Sequence, residues 1–267
     1  MTTILALISI FANLAGTLTV WQQLQKSDVT HTPVLRIVWG LALVGHAALL
    51  YRQIFSANTV NLSFILALSA ALWLVSLILF FSTLKKPLLN TCVVVLPLTA
   101  IVISASWIFP ELTRLPLQTG TGIGIHILSS LLAYAILMIA AIQAIVLKFQ
   151  HQRLHGQQPL GFFKHLPAMQ DMEHLLFQLI AAGVVLLSIS LLSGYLHVDS
   201  LFDRSQLHKT VLSIIAWLVF AALLIGRRSI GWRGPTAIRW TLWGFSLLAL
   251  AYFGSKLVRE IILQRGL

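Results

Sequence analysis

The chain has 267 residues, of which 58% are hydrophobic and 9% are charged, and its mean hydropathy is +0.91. A soluble domain carries roughly 25% charged residues, so this composition excludes a water-soluble globular protein and predicts a polytopic membrane protein. The net charge of +11 does not indicate a nucleic-acid-binding protein, because the basic residues lie beside the ends of apolar runs, where membrane proteins place them.

Eight apolar runs are each about long enough to form a membrane-spanning helix, which takes about 20 residues. In chain order they cover residues 3–22, 34–54, 62–84, 88–109, 123–149, 174–197, 209–226 and 238–258. A backbone in lipid finds no water for its polar groups, so these runs must be helical. The sequence therefore predicts an all-α fold, in which residues 1–267 form a single integral membrane domain, a bundle of about eight transmembrane helices.

The basic residues between the runs predict the orientation of the chain in the membrane. With the N-terminus outside, eleven of the 18 Lys and Arg residues fall on the inner side and seven on the outer side. This bias depends mainly on the arginines from Arg227 to Arg239, and the positive-inside rule then places both termini outside. The first run has no basic residues before it, which predicts a retained span and not a cleaved signal peptide.

Histidine is the one residue type that offers site chemistry in quantity. His46 falls well within the second predicted span, and His126 lies just inside the outer end of the fifth. His46 lies ~12 Å, and His126 roughly 6 Å, from the outer end of its span at 1.5 Å per residue. An ionisable side chain inside a span predicts a functional site. Two neutral imidazoles on facing helices could ligate a haem iron from both sides. Alternatively, each could hydrogen-bond a neighbouring helix. Ser129, Ser130 and Tyr134 could satisfy or orient the His126 ring, and Tyr134 is also a candidate cofactor-binding residue.

Other catalytic patterns are incomplete. His151 and His155 have the spacing of a zinc-protease motif, but the segment reads HQRLH and lacks the glutamate that would act as general base. No Asp or Glu lies inside a predicted span, which weighs against a self-sufficient ion transporter. The single cysteine, Cys92, excludes thiol–disulfide chemistry by this chain alone. The side chains thus give little support to a membrane enzyme.

Four segments in the second half of the chain resemble successive blocks of a known membrane family. They read GIHILSSLLAYAILMIAAIQAIVL, LPAMQDMEHLLFQLIAAGVVLLSISLLSGYL, KTVLSIIAWLVFAALLIGRRSIGWRG and GFSLLALAYFGSKLV. Over roughly residues 122–260, the chain resembles the cytochrome c assembly family of CcsA-, CcmC- and HemX-type haem handlers. It also resembles YpjD-type inner-membrane proteins over its full length. This resemblance, with the charge count, implies a bacterial inner-membrane protein with periplasmic termini.

The resemblance implies that His126 is an axial haem ligand near the outer surface, because it occupies the place of a family ligand. The family's haem-presenting motif, WxWDxKE, should precede the seventh span. At that place the chain reads RSQLHKT and keeps only the lysine, as Lys209. The resemblance therefore implies haem binding or handling without this Trp-rich motif. Depth in the span favours His46 as the second axial ligand, with His208 and His197 as second choices.

The sequence is consistent with two functions. The first is a haem-handling inner-membrane protein, with haem as the cofactor and its propionates directed toward Arg114 or Arg204. The second is a non-enzymatic accessory subunit of a cation transport system or another envelope system, in which His46 and His126 would be structural. The expected partners are the lipid bilayer and haem-trafficking or envelope membrane proteins, and no nucleic acid is expected.

Overall fold

The computed structural model describes residues 2–25, 33–56, 59–61, 63–82, 89–109, 114–116, 121–155, 168–197 and 207–254. Within these residues the chain forms eight α-helices. They are α1 (Thr2–Gln25), α2 (Pro33–Ile54), α3 (Phe64–Ser82), α4 (Leu89–Ile108), α5 (Thr121–His155), α6 (Met169–His197), α7 (Leu207–Ser229) and α8 (Pro235–Ala249). Helix α8 continues into a π-helical turn over Leu250–Gly254.

Each predicted span coincides with one of these helices, which confirms the all-α class. Six helices, α1, α2, α4, α5, α6 and α7, are long and apolar enough to cross a membrane, so the protein is a polytopic membrane protein. The apolar segment of α3, Ile65–Phe81, is shorter, and α8 has 15 residues. A complete crossing by α3 and α8 stays a prediction, because the predicted eighth span extends beyond the described residues.

Two helix boundaries differ from the prediction. Helix α5 has 35 residues, or about 52 Å at 1.5 Å per residue, and therefore exceeds the hydrocarbon thickness of ~30 Å. Its last turns carry the exposed residues Lys148 and Arg153. A helix satisfies its own backbone hydrogen bonds, so α5 can continue beyond the apolar core into water. Helix α6 begins at Met169 and not at His174, with Asp171 in its first turn, where the helix dipole favours an acidic residue.

Three very short strands accompany the helices. They are β1 (Phe55–Ser56), β2 (Thr59–Asn61) and β3 (Arg114–Pro116), and they form an antiparallel sheet in the order β1–β2–β3. Strand β1 directly follows α2, so the sheet ties the end of that helix to the segment after α4. Strands of two or three residues carry no readable alternation, and the sequence therefore did not predict them.

The helices divide into two compact units. The first unit contains α1 to α4, with α1 packed on α2 and α4, and α3 packed on the same two helices. Small residues permit the close approaches, because helices in lipid associate by packing and not by exclusion of water. A Cβ atom added to Gly45 of α2 would lie 2.8 Å from the Ser9 hydroxyl of α1. That residues 1–267 form a single integral membrane domain stays a prediction.

The second unit contains α5 to α8, and it repeats the same pattern of four contacts. Helix α5 packs on α6 and α8, and α7 packs on the same two helices. A Cβ atom added to Gly183 of α6 would lie 2.5 Å from Leu137 of α5. A Cβ atom added to Gly244 of α8 would lie 2.8 Å from the Phe220 ring of α7. The close contact of α5 with α6 positions the site described below.

Candidate functional site

His126 lies near the start of α5 and contacts α6. Its imidazole is partly buried, and its Nδ1 atom lies 2.8 Å from the backbone carbonyl oxygen of Ser190. Because a carbonyl oxygen only accepts hydrogen bonds, Nδ1 must carry the proton and donate it. In the neutral ring the lone pair is then on Nε2, which makes no hydrogen bond to the described residues. The structure thus fixes the tautomer of His126 and leaves Nε2 able to bind a metal ion.

Serine side chains reinforce this contact between α5 and α6. The Ser130 hydroxyl donates to the His126 carbonyl oxygen at 2.6 Å and lies 2.6 Å from the Ser190 hydroxyl. The Ser193 hydroxyl donates to the same Ser190 carbonyl oxygen at 3.0 Å. Ser129 instead donates to carbonyl oxygens of its own helix, 2.7 Å from that of Ile125. Of the two serines predicted beside the His126 ring, Ser130 therefore connects to its partner residue.

Tyr134 lies two turns further along α5 and contacts the other side of the unit. Its hydroxyl donates to the Leu248 carbonyl oxygen of α8 at 2.7 Å, and its ring centroid lies 5.6 Å from that of Tyr252. This side chain therefore ties α5 to α8. A contact of Tyr134 with a cofactor stays a prediction.

His46 lies in the first unit, where its surroundings differ. Its side chain is 1% exposed, and its Nε2 atom lies 2.9 Å from the Ser69 hydroxyl of α3. One turn before it, the Leu43 carbonyl oxygen accepts a hydrogen bond from the Trp73 indole at 3.0 Å. The imidazole thus takes part in the packing of α2 on α3. Its convergence with His126 on one haem involves both units and stays a prediction.

The second-choice ligands both lie at helix ends of the second unit. His197 is exposed in the last turn of α6, and its Nδ1 atom donates to the Ser193 carbonyl oxygen at 3.2 Å. His208 is exposed in the first turn of α7. The proposed propionate partners, Arg204 and the side chain of Arg114, lie outside the described residues.

An acidic residue that the sequence did not single out is buried at the opposite end of α6. The Glu173 carboxylate forms an ion pair with Arg227 of α7 and accepts a hydrogen bond from the Gly234 amide at 3.0 Å. The guanidinium of Arg227 also lies 4.5 Å from the centroid of the Phe177 ring. Because α6 begins at Met169, Glu173 lies inside an apolar helix long enough to cross a membrane. The absence of acid from the spans therefore holds only for the predicted boundary.

The part of the chain that the structure describes contains no cluster of metal-binding side chains. Within it, no group of three or more His, Cys, Asp or Glu residues could hold a metal ion. Cys92 is buried in α4. A metal ion bound by a single histidine, as in a haem, does not require such a group.

Comparison with known proteins identifies relatives of this chain. A family model described as cytochrome C assembly protein matches residues 35–263. The inner membrane protein YpjD of Escherichia coli K12 is 37% identical over 146 residues, which is 55% of each chain. The cytochrome c biogenesis protein CcsA of Prochlorococcus marinus NATL1A is 28% identical over 111 residues, 41% of this chain and 34% of the relative.

The chain spans about half the length of the curated YpjD relatives it matches, and no solved structure matches it. The family model nevertheless covers most of the chain, including the described parts of α5 to α8. This confirms the predicted family resemblance, although the match to YpjD covers 55% of the chain and not its full length. It supports a haem-handling role in general. The chain belongs to the cytochrome c assembly protein family.

Proposed function

We propose that this protein handles haem in the bacterial inner membrane and that His126 is an axial ligand of the iron. The hydrogen bond from His126 Nδ1 to the Ser190 carbonyl oxygen, 2.8 Å long, carries this proposal. Metal-binding histidines commonly donate their second ring N–H to such an oxygen, which orients the ring and makes the ligand nitrogen more basic. The family membership of the chain supports the same role.

The residues around His126 are suited to binding a haem. The ring is partly buried, and the same turns of α5 expose the apolar residues Ile125, Ile127 and Leu128. A porphyrin has two apolar faces, so one face can pack against these exposed side chains, as a lipid chain would. When bound, haem would supply an iron centre able to exchange one electron, with properties set partly by the axial ligand. The protein itself would orient the imidazole and hold a proton on Nδ1.

The candidates for the second axial position differ in the contacts that each would lose on binding iron. His46 would have to leave the Ser69 hydroxyl and a site in which it is 1% exposed. His197 is exposed and already donates its Nδ1 proton to the Ser193 carbonyl oxygen, so its Nε2 is in the form that binds iron. Depth in the span favours His46, but its burial and its bond to Ser69 hold it in the packing of α2 on α3, so we propose His197 as the second ligand. His208 is the third candidate.

The test is a haem titration of the purified full chain, followed by its Soret absorbance. We expect the wild type to bind haem and His126→Ala to lose the low-spin Soret band. The matched control is His174→Ala, because His174 is exposed on α6 and bonds only to Gln178 among the described residues. Added imidazole should restore a low-spin spectrum to His126→Ala by filling the vacated coordination position.

The same titration assigns the second ligand and can reject the proposal. Replacement of His46, His197 or His208 by Gln should convert the spectrum to high spin only for the residue that binds iron. A Soret band unchanged by His126→Ala would contradict the proposed ligand. Failure of the wild type to bind haem would contradict haem binding altogether and favour the accessory-subunit function.

We also propose that both termini are periplasmic, which places the His126 end of α5 near the periplasm. The exposed arginines of the α7–α8 connection, Arg228 and Arg233, support this orientation through the positive-inside rule. Alkaline phosphatase is active only in the periplasm. A fusion to the C-terminus should therefore be active, and an inactive fusion with an active cytoplasmic reporter at the same position would reverse the orientation.

A further inference from the structure

The connection between α7 and α8 is held in a defined conformation. The amides of Ile230 and Trp232 both donate to the Gly226 carbonyl oxygen, at 3.0 and 3.1 Å. Gly231 and Gly234 have φ angles of 75° and 50°, a region that other residues rarely adopt. The Trp232 ring lies so close to Gly226 that an added Cβ would be 2.5 Å from it. This connection therefore presents its side chains in fixed directions.

Charge is unevenly compensated at this connection. Arg227 is paired with Glu173, and the Glu173 carboxylate also binds the connection through the Gly234 amide. Three further arginines are exposed and form no ion pair with the described residues. We call them the arginine cluster: Arg228, Arg233 and Arg239. The cluster leaves about three positive charges uncompensated on a rigid connection.

The exposed face of α8 continues from this cluster in a regular order. Arg239, Trp243, Ser246 and Leu250 are exposed and follow one another at intervals of four, three and four residues, which places them on one helical face. Trp243 is 69% exposed and Leu250 57%. Along the helix, this face thus changes from a guanidinium to an indole, then to the small hydroxyl side chain of Ser246 and finally to an aliphatic side chain.

Helix α7 shows the same order from its other end. Arg228 is exposed at the connection, and Ile225 and Leu218 are exposed at 67% and 53% further along the helix. Their spacing of three and seven residues also places them on one face. Two exposed faces, one on each helix, therefore begin at the arginine cluster and become apolar away from it.

We propose that the arginine cluster and the α8 face bind an anionic phospholipid. Guanidinium groups form paired hydrogen bonds with phosphate oxygens, and tryptophan prefers the level of the lipid headgroups. The acyl chains would follow Trp243 toward Leu250. The order of side chains along α8 thus matches the order of groups along a phospholipid. A zwitterionic lipid would leave the positive charge of the cluster uncompensated, so a net negative headgroup is preferred.

The test measures lipid preference in the full chain reconstituted in phosphatidylcholine nanodiscs. Brominated phosphatidylglycerol or brominated phosphatidylcholine is added at increasing mole fraction, and quenching of tryptophan fluorescence gives the relative binding constant of each lipid. An arginine near the membrane surface contributes about 1 kcal/mol to attraction for anionic lipid, which is roughly fivefold in binding. We expect the triple variant Arg228→Gln, Arg233→Gln, Arg239→Gln to lose at least about fivefold of the anionic preference.

A charge-matched control separates a site from a general effect of net charge. Three other exposed basic residues on described helices change the charge by the same amount: Arg36→Gln, Lys148→Gln and Arg153→Gln. This control triple should keep the anionic preference within about twofold of the wild type. Equal loss in the two triple variants would overturn the proposal, as would a preserved preference in the cluster variant.

Two further measurements keep the proposal falsifiable. Trp243→Phe should remove the part of the quenching that depends on anionic lipid, and its full retention would overturn the placement of the lipid on α8. Glycerophosphate, the headgroup without acyl chains, should compete poorly. Competition as strong as that of intact lipid would identify a soluble anion site and overturn the lipid assignment. If circular dichroism shows lost helicity in the cluster triple, the single variant Arg239→Gln carries the same test.

Discussion

His46 in α2 and His126 in α5 both bond to a neighbouring helix, but the partner atoms differ in kind. The partner of His46 is the Ser69 hydroxyl, which can donate or accept and so leaves the tautomer open. The partner of His126 is a backbone carbonyl oxygen, which requires a proton on Nδ1. His46 is also enclosed, at 1% exposure, whereas His126 is partly open. A histidine in a membrane helix is therefore best judged by its partner atom and its exposure.

The largest expected effect separates the two histidines by what each replacement damages. His126→Ala should weaken haem binding more than 100-fold and change the free energy of unfolding by less than about 1 kcal/mol, because the side chain is only partly buried. His46→Ala should lower the free energy of unfolding by about 2–4 kcal/mol, because it leaves a cavity between α2 and α3. Haem titration and unfolding in mixed detergent measure the two quantities. If His46→Ala lost haem binding without losing stability, His46 would be a haem ligand, which would contradict its assignment to helix packing.

The next effect concerns the approach of α5 to α6. Gly183→Val should force Leu137 aside and cost about 1–3 kcal/mol of unfolding free energy, and the displaced helices should weaken haem binding severalfold. Adding Leu137→Ala should recover much of both losses. The counterpart in the first unit is Gly45→Ala, which crowds the Ser9 hydroxyl of α1 at the residue before His46 in the chain. It should lower stability without changing haem affinity, and equal haem loss in the two variants would show that both units shape the site.

A smaller effect is expected at the partner of His46. Ser69→Ala removes the hydroxyl that bonds His46 Nε2, and a hydrogen bond between membrane helices is worth on the order of 0.6 kcal/mol, at most ~1.7. We expect a loss of about 1 kcal/mol in unfolding free energy, because the imidazole stays buried without its partner. Haem affinity should stay within twofold of the wild type. A larger change in affinity would place His46 in the haem site.

The smallest effect is expected beside His126. Ser130→Ala removes the hydroxyl contact with Ser190 but leaves the bond from His126 Nδ1 to the Ser190 carbonyl oxygen. The ring then has somewhat more freedom, and we expect haem affinity to fall by about two- to fivefold, below the 10–100-fold typical of direct partners of a ligand. Resonance Raman spectra should show a broadened iron–histidine vibration. An unchanged spectrum and affinity would limit Ser130 to helix packing.

The sequence predicted the helices well, because in lipid a long apolar run has a single way to satisfy its backbone. The predicted start of α6, at His174, is too late because the charged residues Asp171 and Glu173 resemble the end of an apolar span. Glu173 is nevertheless buried, since it pairs with Arg227, 54 residues away. A pairing over this distance leaves no periodic signal in the sequence.

The candidate site was predictable in its residue but not in its hydrogen bonds. His126 stood out because an ionisable side chain lay inside an apolar run. Its partner is a backbone carbonyl oxygen 64 residues away, and every residue offers such an oxygen, so the sequence does not distinguish the one at Ser190. The sequence does not reveal the bond of His46 to Ser69 either, because α3 contains several serines and any of them offers a hydroxyl.

The ion pair of Glu173 has a mechanical consequence for the distant end of α6. Glu173 and Ser190 are 17 residues apart, about 26 Å along the helix axis. The two interactions of the Glu173 carboxylate hold one end of α6 in place, so a small tilt of the helix displaces its other end. A tilt of one degree moves Ser190 by about 0.5 Å at this distance. The position of the Ser190 carbonyl oxygen, and with it the orientation of the His126 imidazole, therefore depends on the tilt of α6 about its Glu173 end.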